Sequence, residues 1–477
     1  MNKPLSSPGR SAASLDLPLG APRTGESKQS WVYREIRQRI LRGLLPAGTR
    51  LPSTRSLAQA WCVARSTVEA AYDQLRSEGY SAGSVGSGTY VAAVIPDNFF
   101  HRGVPGEGRQ GKEASLSARG RERNPRGADA ALFPMMAWAR ALAAGARQAT
   151  PAQLAIDDAQ GWRGLREQIA RYLGAARGIH CDPDCIVVLA GIRDGLDLSA
   201  RLLLTAGDKV LVEDPGYLTA YPIFSRYTDQ VLPLAIDAQG FPVAAARRQR
   251  GVRLVHVTPA HQSPTGITMP VSRRLELLAW AEQQGCWILE DDYDSEFNYE
   301  GAPLAALKSL DAGERVIHCG SFNKTLYNAL RIGYAVVPGT LVERFVQARR
   351  DTGRAASIIE QMALAELLRS GGFARHVRKA RNVYARRRDQ VLQCLRQAVG
   401  EASLRVSGAQ AGFHLVWWPP PGWDVTALLG DPRAAELGLR PITAFSRRVQ
   451  TEPGIVIGFS ALDDTDMETL AAWLAQN

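Results

Sequence analysis

Lysine is scarce in this sequence. Only Lys3, Lys28, Lys112, Lys209, Lys308, Lys324 and Lys379 occur, so arginine supplies 50 of the 57 basic side chains. Chemistry that needs a lysine amine therefore has few places to reside. The six cysteines form no CxxC pair and are too few for a disulfide framework in 477 residues. His180, Cys181 and Cys185 group around a turn at Pro183 without the spacing of a metal site, and no metal is expected. No apolar run approaches the ~20 residues that span a bilayer. The polar, Ser/Pro-rich start has no continuous apolar core for a secretory signal. The expectation is a cytoplasmic protein with no membrane association.

What is present is ordinary for a globular chain: 45% hydrophobic and 22% charged residues, which excludes a mainly disordered or collagen-like protein. At ~150 residues per domain, the length suggests two or three folded units. The net charge of +10 is compatible with a polyanionic partner.

The composition divides the chain four ways. Residues 1–28 read as a disordered arm, 29–95 as a compact helical module ending in a hairpin, and 96–130 as a basic, glycine-containing flexible linker. From 131 to 477, apolar runs such as CIVVLAG (185–191), KVLVEDP (209–215), VRLVHVTP (252–259) and WILEDDYD (287–294) alternate with helical patterns. That alternation predicts an α/β unit with a mostly parallel sheet.

In the N-terminal module, Tyr33, Ile36, Ile40 and Leu41 recur at helical spacing and Gly43 ends the helix. Ser53 opens a second helix, and a turn at 62–64 leads to a third beginning Arg65-Ser66-Thr67. Two short helices joined by a tight turn form a helix-turn-helix, whose second helix enters a major groove N-terminus first. The glycine-rich SAGSVGSGTYVA that follows reads as a wing. Residues 1–95 carry twelve basic and six acidic side chains.

The stretch Tyr33–Val91, with LPAGTRLPSTRSLA, ARSTVEAAYDQL, EGY and GSGTYV, resembles the winged helix of GntR-family bacterial regulators. The resemblance implies binding to a double-stranded DNA operator, with Arg55, Arg65, Ser66, Thr67 and the wing residue Gly86 at contact positions. Glu69 falls where some members carry another arginine.

In the C-terminal part, only Lys324 lies between a strand end (VIHCGSF) and an apolar segment, flanked by Ser321 and Arg331. A lysine at the carboxyl end of a sheet strand can form a Schiff base, and the hydroxyl and guanidinium suit a phosphate monoester. Other strands end in Glu290-Asp291-Asp292-Tyr293, Asp214-Pro215-Gly216-Tyr217 and Thr258-Pro259-Ala260-His261. Polar groups at several strand ends mark a ligand crevice.

Together LFPMMAW, EDPGY, TPAHQSPTG, EDDYDSEF and SFNKT…LRIGY resemble fold-type I, class I aminotransferases; joined to the winged helix, the chain resembles MocR/GabR-type regulators. The resemblance implies pyridoxal 5'-phosphate (PLP) as cofactor, with Lys324 the Schiff-base lysine. It places Asp291 at the pyridine nitrogen, Tyr293 at the ring oxygen, Ser321 and Arg331 at the phosphate, and Tyr217 stacked on the ring. Gly191, Arg193 and His261 are the remaining cofactor-site candidates, and a homodimer is implied.

The departures from the family pattern are specific. Gly191-Ile192-Arg193-Asp194 replaces the usual Gly-x-Gln-Gln phosphate cup, and Asp194 there would repel phosphate unless paired. Asn323 and Asn328 replace a serine and a proline around the lysine. Val456 and Thr219 stand where aminotransferases and GabR-like proteins carry carboxylate-binding arginines. The sequence thus reads as a PLP-dependent transcription regulator that senses PLP itself or an amine. An aminotransferase with a DNA-binding extension and a cofactor-free regulator are the alternatives.

Overall fold

The computed structural model describes residues 21–23, 25–84, 88–92, 127–155, 158–300, 305–353 and 356–476. The chain divides into two compact units, with the division at Leu116/Ser117.

The first unit has three helices, α1 (Lys28–Leu41), α2 (Thr54–Ala60) and α3 (Arg65–Ser77), then an antiparallel hairpin of β1 (Ser81–Ser84) and β2 (Gly88–Val91). Serines cap the first two helices: Ser27 Oγ accepts from Ser30 N and Ser53 Oγ from Ser56 N, each at 3.1 Å. Each bond satisfies an amide that the first helical turn leaves open. In α3 the buried residues Val68, Ala71, Tyr72 and Leu75 follow the i, i+3, i+4, i+7 pattern of a one-faced helix. They pack with Val32, Ile36, Ile40, Leu57 and Val91 into a separate small core. Two expectations are corrected. Ordered helix begins at Lys28, inside the segment read as a disordered arm, because Ser27 caps it and Glu26 pairs with Arg34 at 2.8 Å. Leu41 is exposed, and the inward face is Trp31, Val32, Ile36 and Ile40.

The second unit centres on a seven-stranded sheet: β3 (Ile186–Leu189), β4 (Lys209–Asp214), β5 (Val231–Ala235), β6 (Val252–Val257), β7 (Trp287–Asp292), β8 (Val316–Ser321) and β9 (Gly333–Val336). The order is β3-β9-β8-β7-β6-β4-β5, and β9 alone runs against the direction of the other six. The strands are nearly continuous apolar runs because both faces are covered. Helices Ile192–Leu203 and Val342–Thr352 cover one face, and Arg163–Arg177 and Ile358–Arg369 the other.

A second, antiparallel sheet follows, of β10 (Val406–Ser407), β11 (His414–Trp417), β12 (Arg440–Pro441) and β13 (Ile455–Gly458). It packs under helices Gly372–Val399 and Asp464–Ala475. The linker read as 96–130 ends early. Gly127 O accepts from Ser460 Oγ at 2.7 Å and Asp129 pairs with Arg387 at 2.9 Å, so residues from 127 already belong to this unit. Among the described residues no helix is long and apolar enough to cross a membrane.

Candidate functional site

The carboxyl ends of β3, β4, β6, β7 and β8 open on one cavity of about 380 Å3. Parallel strands deliver their ends to a common edge, so residues more than 100 positions apart in sequence meet there. Half-buried Lys324 lies in the turn after β8 and lines this cavity together with Tyr217, Asp291, Tyr293, Ser321 and Arg331. Six of the residues singled out from sequence are thus brought together, and Gly191 and Arg193 join them.

Alternation along β7 sorts its acidic end. Asp291 faces the cavity, while Glu290 and Asp292 point to the other side of the sheet. Asp292 pairs with Arg177 at 2.8 Å, and Glu290 accepts from His318 at 2.9 Å and from the amides of Leu307 and Lys308 at 2.7 and 2.9 Å. Burial works to raise the Glu290 pKa, but His318 and those amides outweigh it and hold the carboxyl at about 2. Asp291 is buried, with Oδ2 3.4 Å from His256 Nε2 and Oδ1 without a hydrogen-bond partner among the described residues. Burial raises its pKa, and His256 opposes the rise. A buried carboxylate oxygen that borders a cavity and has no protein donor fits a protonated ring nitrogen.

Other residues of the cavity lining suit a phosphate. The helix Ile192–Leu203 begins there behind Gly191, whose φ of +125° favours glycine and where a Cβ would come within 2.6 Å of Asn323 Nδ2. The start of this helix, Ser321, Arg193 and Arg331 all line the cavity, and a helix N-terminus, a hydroxyl and guanidinium groups are groups that bind phosphate. The acid in the cup is answered: Asp194 accepts from Arg349 and from Ala190 N, at 2.8 and 2.9 Å. Asn323, where the family pattern has serine, donates to Ala190 O at 3.2 Å and accepts from Ile332 N at 2.9 Å. It therefore ties the lysine turn to the Gly191 turn. Tyr217 stacks near His256 at 6.4 Å, and its hydroxyl accepts from Arg193 Nε at 3.4 Å.

His261 stands apart from the other candidates. It does not line the cavity but lies buried behind Tyr293, with Nδ1 2.8 Å from Asp294 Oδ2 and 3.3 Å from the Tyr293 hydroxyl, and Nε2 3.3 Å from Gly408 O. Although burial alone would lower its pKa, Asp294 and Gly408 O raise it. Sequence reasoning also missed Ser263, His414 and Phe445 as lining residues and His256 as the support of Asp291. Ser263 had a signal, standing in the same SPTG turn as the strand-end motif. His256 had none, sitting inside an apolar strand.

In the first unit, Arg55 on α2 and Arg65 and Ser66 at the start of α3 are exposed, and Thr67 is half-buried. Arg65 Nε donates to Glu69 Oε1 at 2.8 Å, one turn along the same helix. Gly86 lies outside the described residues.

Comparison with known proteins supports both halves. The family of aminotransferases of class I and II matches residues 124–428, and bacterial regulatory proteins of the gntR family match residues 28–91. The chain is 34% identical over 451 residues to a probable rhizopine catabolism regulatory protein MocR of Rhizobium meliloti, covering 91% of this chain and 90% of that one. It is 33% identical over 465 residues to the HTH-type pyridoxine biosynthesis transcriptional regulator PdxR of Corynebacterium glutamicum, covering 96% and 97%. A kynurenine aminotransferase of Pyrococcus horikoshii, solved in complex with PMP, aligns with a TM-score of 0.65 at 27% identity, over 73% of this chain and 89% of that one. The α-aminoadipate aminotransferase LysN of Thermus thermophilus aligns with a TM-score of 0.63 at 26% identity, over 73% and 90%.

Proposed function

This chain belongs to the HTH-type transcriptional regulators that join a gntR-family DNA-binding region to an aminotransferase class I and II domain, and we propose that it binds PLP in the Lys324 cavity and that the state of that cavity sets its grip on DNA. The observation that carries the reading is Asp291 Oδ1, a buried carboxylate oxygen at the cavity wall with no protein partner among the described residues.

PLP, when bound, supplies an aldehyde for amines and an electron-withdrawing ring. Lys324 would hold it covalently, and Asp291, fixed by His256, would keep the ring nitrogen protonated. Ser321, Arg331, Arg193 and the helix start at Gly191 would hold the phosphate. Tyr217 would cover one ring face. Tyr293, whose hydroxyl lies 3.3 Å from His261 Nδ1, would donate its O–H proton to the ring oxygen.

The effector follows from what the cavity does not offer. Val456 is buried against Val416, Ile442 and Phe445, and Thr219 lines the wall without a charge. Arg447 and Arg448 do not replace the missing cations. Their backbone amides bind Asp214 at 2.9 and 2.8 Å, the Arg447 guanidinium lies 5.1 Å from the Tyr221 ring centre, and neither lines the cavity. An α-carboxylate would forgo charge-assisted bonds worth about 1.5–3 kcal/mol each. The effector is then PLP itself or an amine without a free α-carboxylate. In this reading the protein is a cytoplasmic homodimer whose two winged helices meet two half-sites of a double-stranded operator.

The test is the visible spectrum of the purified protein with PLP, followed by borohydride reduction and peptide mapping. The expected result is one reduced adduct, at Lys324. No adduct, or an adduct at Lys209 or Lys308 instead, would overturn the site.

A further inference from the structure

On the side of the sheet to which Asp292 points, a second cavity of about 410 Å3 lies between the helices Arg163–Arg177 and Gly372–Val399 and the segment after β7. Its size falls in the ~300–1,000 Å3 range of small-molecule sites. Part of the wall is apolar: Leu368, Phe373 and Val377 join the Tyr172 ring, which meets Phe373 edge to face with centroids 5.5 Å apart. The polar side is cationic. Arg381 is fixed by two bonds to the Glu296 carbonyl, at 3.1 and 2.6 Å. Arg171 and Arg378 are exposed, and no ion pair or hydrogen bond engages either among the described residues.

The acid at the base does little to neutralise them. Tyr172 donates to Glu296 Oε1 at 2.7 Å, and burial, followed by the Asp292 charge, pushes the Glu296 carboxyl up to about 7. A carboxyl partly protonated near neutrality leaves the arginines in excess. Arginine presents a planar fork that matches a carboxylate, and the apolar wall calls for a ligand with a hydrocarbon body.

We propose that this cavity is a second ligand site, separate from the Lys324 cavity, for a small aryl carboxylate held by Arg171 and Arg378 with its ring against Phe373 and Val377. The proposal does not depend on the cofactor reading.

Benzoate serves as the probe. In calorimetric titration of the full-length protein as purified, saturable binding at one site per chain is expected, unchanged in Lys324→Ala. It should weaken about tenfold or more in the double variant Arg171→Ala/Arg378→Ala, consistent with the loss of charge-assisted bonds. Because both arginines are exposed, an unchanged far-UV circular dichroism spectrum is expected to confirm folding, and Arg171→Lys/Arg378→Lys should retain intermediate affinity. Three results would each overturn the proposal: no saturation up to about 10 mM, equal affinity in the double alanine variant, or loss of binding in Lys324→Ala.

Discussion

The two ligand-facing regions of this molecule are held in opposite ways. On the winged helix, Arg65 and Glu69 are 65% and 46% exposed, and the fold rests on a core that neither of them enters. In the cavity, Asp291 and Ser321 are buried, and each is hydrogen-bonded to a residue of another element or turn. A polyanion can be met by side chains standing in solvent, because its charge is large and its surface accessible. A small cofactor has to be surrounded, so its ligands must be fixed before it arrives. Substitutions should therefore act cleanly on DNA affinity in the first region and jointly on affinity and local geometry in the second.

Lys324→Ala gives the largest expected effect: complete loss of the borohydride-trapped adduct, with operator binding retained at the level of the cofactor-free protein. A full-strength adduct in this variant would remove the comparison's second term. Asp291→Asn comes next, since it removes one charged partner from a buried pair. Cofactor affinity should fall by about 1.5–3 kcal/mol. The pH dependence gives the sign. Burial raises the Asp291 pKa, and only the carboxylate form holds a ring cation, so wild-type affinity should fall as pH drops, starting above the range of an ordinary aspartate. The Asn variant should lose that dependence, which parallel fluorescence titrations at several pH values would reveal.

Arg65→Ala should weaken specific operator binding by about 1–3 kcal/mol and leave both the cofactor spectrum and the melting temperature unchanged. A fall in Tm would show that the exposed residue is structural after all. The smallest effect is expected from Glu69→Gln. Exposed pairs of this kind are worth about 0.2–1 kcal/mol, so freeing Arg65 should tighten DNA binding severalfold at low salt and less at high salt. Unchanged affinity at low salt would mean that Arg65 is already free to turn toward DNA.

The architecture was largely legible because it rests on local pattern. Strand runs ending in Asp214, Thr258, Asp291 and Ser321, the scarcity of lysine, and the Arg65-Ser66-Thr67 helix start all lie in contiguous sequence. What escaped depends on contacts across long separations. Asp194 is neutralised by Arg349, 155 residues away, and Asp291 is steadied by His256 from the neighbouring strand. His261 shares a motif with true cavity residues, yet its contact with Asp294 holds it one layer back, behind Tyr293. Asn323 looked like a departure from the family and proves to be the tie between two turns at the cavity. The domain edges moved for a similar reason. Ser27 and Asp129 are polar residues in polar surroundings, and only their capping bond and ion pair show that folded structure includes them.

The central claim is that the Lys324 cavity governs the DNA-binding module. Its most direct test is operator affinity of the full-length protein, measured at one fixed salt concentration with and without PLP, in wild type and in Lys324→Ala. The account predicts a PLP-dependent change in wild type that is absent or much reduced in the variant. Identical affinities with and without PLP in the wild-type protein would contradict it.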